Sequence, residues 1–335
     1  MLIGPVDLNR EVLVVAEIGN NHEGSFARAQ EMIGRAAETG VQAVKFQTFV
    51  PEHYISRDQA ERLARLRKFA FSFEQFARLA DVARAYGVIF FSTPFDLASA
   101  EALSKFCPAI KISSGDNVFF PLIEKVATFR LPVIMSTGLA GVSDLEAASD
   151  TLKRAWRTIG HTGELALLHC VSTYPTPPVE ANLAAIQMLR TRFDDTIGYS
   201  DHTLGIDAAV LSVALGARII EKHFTLDKNL SDFRDHQLSA DPTEMKELVR
   251  RVRLAQEMLG REFDGPSSQA ENRVLMRRSI AAAVDLPAGT SLQMRHLCWV
   301  RPGTHIPPGQ EARVLGRVTR RTLRQGELIS PDDIG

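Results

Sequence analysis

Two histidines, two lysines and a scatter of acids and hydroxyls recur in this chain at one kind of place, the end of a short apolar run. Between Gly198 and Asp227 the chain reads Gly-Tyr-Ser-Asp-His-Thr-Leu-Gly, an apolar segment, then Ile-Ile-Glu-Lys-His-Phe-Thr-Leu-Asp. The runs Thr196 to Tyr199 and Arg218 to Ile220 suit buried strands, and each stops at a polar cluster. Between them Ile206, Ala209, Val210, Val213 and Ala214 have helical spacing, so the unit predicts strand, helix, parallel strand. That geometry sets His202 beside His223, with Ser200, Asp201, Glu221 and Lys222 around them. One strand-end histidine is more often a hydrogen-bonded surface residue, whereas two on adjacent strands point to ligands. Imidazole and carboxylate donors suit a divalent cation, manganese first, with zinc, magnesium or cobalt as alternatives.

Six earlier runs end in the same way. Val12 to Ala16 leads to Glu17, Asn21 and His22; Ala43 to Phe46 carries Lys45 and leads to Gln47; Val88 to Thr93 closes at Pro94. Ala109 to Ser114 holds Lys111 and Ser114 ahead of Asp116, Leu131 to Thr137 holds Ser136, and Leu165 to Ser172 holds His169 and Ser172 ahead of Tyr174. Lys45 alternates with Val44 and Phe46, which aims it at the opposite face, where an ammonium is costly to desolvate without an anion. Ser114 and Ser136 could each be turn residues beside Gly115 and Gly138. Their recurrence with two lysines on neighbouring strands instead suits a small ligand carrying phosphate and carboxylate.

The elements that position these groups alternate strand and helix. Ser25 caps a helix whose Phe26, Ala29, Met32, Ile33, Ala36 and Ala37 share a face, and Ser72 with Gln75 suits a capping box before a helix over 73–86. Eight such units over about 260 residues predict a closed parallel (β/α)8 barrel of the TIM type, with its active site at the C-terminal strand ends. The competing open doubly wound sheet lacks a Gly-rich fingerprint after its first strand. Residues 1–260 are therefore assigned to the barrel, 261–276 to a Gly-, Pro- and Ser-bearing linker, and 277–335 to a small β-rich domain. A weak repeat, Leu286-Pro-Ala-Gly289-Thr-Ser-Leu292 and Leu323-Arg-Gln-Gly326-Glu-Leu-Ile329, runs through that tail.

The chain has 335 residues and a formal net charge of -1, which gives no bulk electrostatic case for nucleic acid and points to small-molecule substrates. Cys107, Cys170 and Cys298 form no CxxC, so neither a disulfide framework nor a thiolate zinc site is expected. Met1 to Arg10 is too polar for a signal peptide, and no apolar run approaches the roughly 20 residues that span a bilayer. A cytoplasmic protein with no membrane partner is the expectation.

In their order, these residues resemble the sialic acid synthase family. The matching stretches are Ala-Glu17-Ile-Gly-Asn-Asn-His22-Glu-Gly-Ser, Val-Lys45-Phe-Gln47-Thr, Phe-Ser-Thr93-Pro-Phe, Lys111-Ile-Ser-Ser114-Gly-Asp116 and Met-Ser136-Thr-Gly. His-Cys-Val-Ser172-Thr-Tyr174-Pro, Gly-Tyr-Ser200-Asp-His202-Thr-Leu-Gly and Glu-Lys-His223-Phe-Thr continue the series, and Val300-Arg301-Pro-Gly lies in a tail similar to the family's antifreeze-like, or SAF, domain. The resemblance implies condensation of phosphoenolpyruvate with N-acetylmannosamine or a related hexose, giving a nine-carbon 2-keto acid and phosphate. It implies that Lys45, Thr93, Lys111, Ser114, Ser136, Ser172 and Ser200 hold phosphoenolpyruvate, that His202 and His223 bind the metal, and that Glu17, Gln47, Asp116, Tyr174 and Asp235 face the sugar. Glu17, Lys45, Lys111 and Asp116 would be the catalytic groups, and Arg301 would reach the sugar from the partner chain of a domain-swapped homodimer. Asp116 stands where many bacterial members carry Glu, so N-acetylmannosamine, its 6-phosphate and diacetamido-trideoxyhexoses all remain acceptors to consider. A seven- or eight-carbon product and a non-catalytic sugar-binding barrel are the rival readings.

Overall fold

Each apolar run becomes a strand because its alternate side chains have two apolar destinations, the barrel interior and the surrounding helices. The structure, a computed structural model, describes residues 1–260 and 269–335. After a short antiparallel pair, β1 (Leu2–Ile3) and β2 (Val6–Asp7), come β3 (Leu13–Gly19), β4 (Ala43–Thr48), β5 (Ile89–Pro94) and β6 (Ile110–Ile112). They are followed by β7 (Val133–Ser136), β8 (Leu165–Cys170), β9 (Thr196–Asp201) and β10 (Ile219–His223). Strands β3 to β10 close a barrel of parallel neighbours in chain order, with β10 pairing back to β3. The expected architecture is therefore present, together with a separate C-terminal unit.

Two local expectations change. The polar clusters do not lie beyond β9 and β10 but inside them, since β9 runs to Asp201 and β10 to His223. Period two then sorts each cluster onto two faces. Ser200 and Glu221 are register partners on the inner face, while Asp201 and Lys222 are partners on the outer one. The Lys222 ammonium lies 2.9 Å from an Asp201 carboxylate oxygen with both side chains fully buried, and Asp201 also accepts from Tyr199 and the Thr203 amide. These two residues staple neighbouring strands just below the histidines.

The long charged insertion after β4 is also ordered. It folds into the helices Pro51–Tyr54 and Ala60–Phe69, which bury Leu63 and Leu66 against Phe49 and Ile55 in a small core of their own. Ser25 and the Ser72/Gln75 capping box start their helices as expected.

In the C-terminal unit, β11 (Ser279–Ala282) and β12 (Leu297–Val300) pair antiparallel. The two weakly repeated segments meet each other, with reciprocal backbone hydrogen bonds of 2.7 and 2.8 Å between Leu286 and Leu323. Leu292 and Ile329, which end the two repeats, are buried in the same core. Of the expected linker, 261–268 lie outside the described residues, and 269–276 form a helix.

Replacing Lys222 by Met leaves the Asp201 carboxylate buried without a counter-ion, a change that costs about 3–5 kcal/mol. Urea unfolding followed by circular dichroism should show that loss. Arg84→Ala, which breaks an exposed pair with Asp81, should shift stability by no more than about 0.5 kcal/mol.

Candidate active site

At the C-terminal strand ends the inner-face side chains enclose a cavity of about 530 Å³. Its floor is a network of four buried charges. The Lys45 ammonium lies 2.7 Å from Glu17 Oε2 and 3.5 Å from Glu221 Oε1, and Lys111 lies 3.8 Å from Glu221 Oε2. All four side chains are almost completely excluded from solvent. Burial pushes the Glu17 carboxyl up to about 7, opposed by Lys45. Burial also acts to raise Glu221, but Lys111 and Lys45 overcome it and hold that carboxylate below its ordinary value. Lys111 is lowered by burial against the pull of Glu221, while the two carboxylates keep Lys45 above its usual range despite burial. One carboxyl is thus poised to exchange a proton near neutrality while the other stays ionised.

Hydroxyls surround the lysines. Lys45 donates to Thr93 Oγ1 at 3.1 Å, Lys111 to Ser136 Oγ at 2.6 Å, and Ser200 donates to Glu221 at 3.1 Å. Beyond them the chain passes close enough at Gly138 that a Cβ there would lie 2.4 Å from Ser172 Oγ and 2.7 Å from Ser114 Oγ. Ser172 Oγ is buried and has no hydrogen-bond partner within the protein. Two hydroxyls beside a glycine, next to two ammoniums, form a cradle suited to an oxyanion.

The opposite wall is aromatic and basic. The rings of His202 and His223 are 5.4 Å apart, and Tyr174 stacks 4.0 Å from His202. His202 Nδ1 is 2.7 Å from the Val171 carbonyl, which can only accept, so Nδ1 carries the proton and Nε2 the lone pair. His202 is held above its ordinary value, with burial opposing and contact with Cys170 prevailing. Burial carries His223 well below its ordinary value, and its Nδ1 has no hydrogen-bond partner. A neutral, unsatisfied imidazole beside one oriented by a carbonyl fits the donor chemistry of a divalent cation. Among the described residues no cluster of three or more His, Cys, Asp or Glu is arranged to hold a metal, so these two rings are the protein donors at hand.

Every barrel residue assigned a role from the sequence lines this cavity: Glu17, Lys45, Gln47, Thr93, Lys111, Ser114, Asp116, Ser136, Ser172, Tyr174, Ser200, His202, His223 and Asp235. Gln47 is held between Glu17 and Asn20, Asp116 accepts from Ser113, and Asp235 pairs with Arg234, whose guanidinium lies 4.7 Å over the Tyr174 ring. Arg301 follows β12 in the C-terminal unit and is exposed. Other strand-end residues turn away. Asn21 bonds Phe224 and Ser239, His22 stacks on Phe71, His169 bonds Ala181, and Asp201 with Lys222 forms the outer staple. Glu221 is the opposite case: noted near the histidines but given no role, it links both lysines. Its period-two relation to His223 was the available signal. Arg62 and Arg65, from the insertion, also line the cavity, and only their helical spacing from Phe69 announced it.

A closed parallel barrel that gathers lysines, carboxylates and imidazoles at its C-terminal strand ends defines an enzyme, with the chemistry at that face. The chain belongs to the NeuB family, whose model matches residues 32–264, and a SAF domain model matches residues 277–335. It is 36% identical over 342 residues to the N,N'-diacetyllegionaminic acid synthase of Legionella pneumophila, covering 98% of this chain and 96% of that one. Against the N-acetylneuraminate-9-phosphate synthase of Mus musculus it is 33% identical over 340 residues, covering 96% and 92%. A crystal structure of the N-acetylneuraminic acid synthetase of Leptospira borgpetersenii superposes with a TM-score of 0.76 at 34% identity, covering 81% of this chain and 94% of that one.

The cradle gives a direct test. Gly138→Ala should raise the dissociation constant for phosphoenolpyruvate about tenfold or more in calorimetric titration, because the new methyl displaces both serine hydroxyls. The melting temperature should change little if the contact is with side chains alone.

Proposed function

We propose that this chain condenses phosphoenolpyruvate with a 2-acetamido hexose to give a nine-carbon 2-keto acid and phosphate. The observation that carries the reading is the adjacency, in one cavity, of a buried lysine and hydroxyl cradle for an anion and an imidazole pair for a cation. Relatives named as synthases of diacetyllegionaminic acid and of N-acetylneuraminate 9-phosphate support it.

In this reading Lys45, Lys111, Thr93, Ser114, Ser136, Ser172 and Ser200 hold the phosphate and carboxylate of phosphoenolpyruvate. A divalent cation on His202 and His223, manganese by preference, supplies Lewis acidity to the aldehyde oxygen of the open-chain sugar. Gln47, Asp116, Tyr174 and Asp235 orient that sugar so that its aldehyde carbon meets C3 of phosphoenolpyruvate. As the new carbon–carbon bond forms, positive charge develops at C2, and the ionised Glu221 lies among the groups that face it. Glu17 takes a proton from the water that attacks C2, a task matched to a carboxyl titrating at about 7. Collapse of the tetrahedral adduct breaks the C2–O bond, and Lys45 and Lys111 stabilise the departing phosphate. The aldehyde oxygen ends as a hydroxyl. Arg301 of one chain completes the acceptor site of the other in a domain-swapped homodimer, and the enzyme works in the cytoplasm. No helix among the described residues is long and apolar enough to cross a membrane, and the cysteines are free.

Phosphate release from phosphoenolpyruvate, screened against hexosamine acceptors with manganese, tests the proposal. Release should require both acceptor and metal and stop on chelation. Glu17→Gln should lower kcat about 10²- to 10⁴-fold, and His223→Ala should weaken manganese binding about 10- to 100-fold or more, read by electron paramagnetic resonance. Absence of phosphate release with every hexosamine would favour a non-catalytic sugar-binding barrel.

A further inference from the structure

The cavity does not end at the acceptor-facing groups. Arg62, Arg65, Phe69, Phe233 and Arg234 line it and also line a second, outer chamber of about 760 Å³, so the two share a wall. On the helix Ala60–Phe69 the residues Arg62, Arg65 and Phe69 lie three and four apart and present one face, while Leu63 and Leu66 are buried in the insertion's own core. Phe69 meets Phe233 edge to face at 5.4 Å where the chambers join.

The charges of this outer chamber are unbalanced. Arg65 has no hydrogen-bond or ion-pair partner among the described residues. Arg62 has only uncharged ones, the Gln59 carbonyl at 3.3 Å and the Tyr54 ring at 5.8 Å. Arg234 is engaged by Asp235, and the acid Glu23 is held by Arg28 at 2.8 Å and by the Ser231 hydroxyl. Asp232 is the remaining acid of the chamber. Two guanidiniums without carboxylates, on one helix face at the mouth of a site, match the planar bidentate recognition of a phosphoryl group.

We infer that Arg62 and Arg65 form a subsite for a phosphate monoester on the end of the acceptor remote from its aldehyde. The inference rests on the condensation proposed above and sharpens it. It selects a 6-phosphorylated acetamido hexose and disfavours a trideoxyhexose, which lacks the C6 hydroxyl that would carry the phosphate.

Steady-state kinetics with N-acetylmannosamine, its 6-phosphate and a diacetamido-trideoxyhexose test this. Wild-type enzyme should favour the phosphorylated acceptor in kcat/KM by about tenfold or more, the worth of one charge-assisted hydrogen bond. In Arg62→Ala/Arg65→Ala that preference should collapse towards unity. Lysine replacements should retain part of it, and Arg67→Ala, whose side chain pairs with Glu52 on the same helix, should retain all of it. A wild type that uses either neutral sugar as well, or a preference unchanged in the double variant, overturns the subsite. Should no acceptor release phosphate, the condensation reading fails, and calorimetry still decides the subsite. Binding of N-acetylmannosamine 6-phosphate that is lost in the double variant supports it, and no binding to wild type overturns it.

Discussion

Four buried charges at the mouth of the barrel constrain the rest of the molecule. Lys45 and Lys111 sit almost out of contact with solvent, where an unpaired ammonium would cost several kcal/mol. Glu17 and Glu221 balance them, at 2.7 to 3.8 Å, and each carboxylate depends on a different strand. The network exists only if β3, β4, β6 and β10 keep their register, since a slip of one residue would turn every one of these side chains outward. An anion entering the cradle beside them would find two ammoniums already desolvated and oriented. The cost of preparing the site is met during folding, by the apolar core that closes the barrel.

The outer face of the same strands has the complementary task. Asp201 and Lys222 alternate with the functional residues Ser200, His202, Glu221 and His223, and their ion pair lies directly beneath the imidazoles. Polar clusters at strand ends therefore contain two populations, one facing the cavity and one locking the strands that carry it. Both are charged and buried, and only the face distinguishes them.

That distinction shows what the sequence could and could not carry. Apolar runs ending in polar residues gave the barrel and brought Lys45, Lys111, His202 and His223 to one rim, because strand alternation and parallel order are local properties. Which atoms meet is not local. Glu221 bridges lysines contributed by segments more than a hundred residues earlier, and no spacing within Ile-Ile-Glu-Lys-His states that. The sorting of Asp201 and Lys222 to the outside required the true ends of β9 and β10, which extend through the charges that were expected to terminate them. The helix Ala60–Phe69 was hidden for another reason. Its charge-rich composition masks Leu63 and Leu66, which bury against residues on either side of the insertion. The repeat in the C-terminal unit was visible as sequence, but the pairing of Leu286 with Leu323 emerges only in three dimensions.

The central claim is that this charge network turns over phosphoenolpyruvate by attack of water at C2 rather than at phosphorus. Phosphoenolpyruvate labelled with oxygen-18 at its enol oxygen, incubated with the enzyme, manganese and an acetamido hexose, tests it most directly by mass spectrometry of both products. The account predicts labelled phosphate and an unlabelled acid whose mass is that of the acceptor plus three carbons. Label retained in the acid, or a product without the three added carbons, would contradict it.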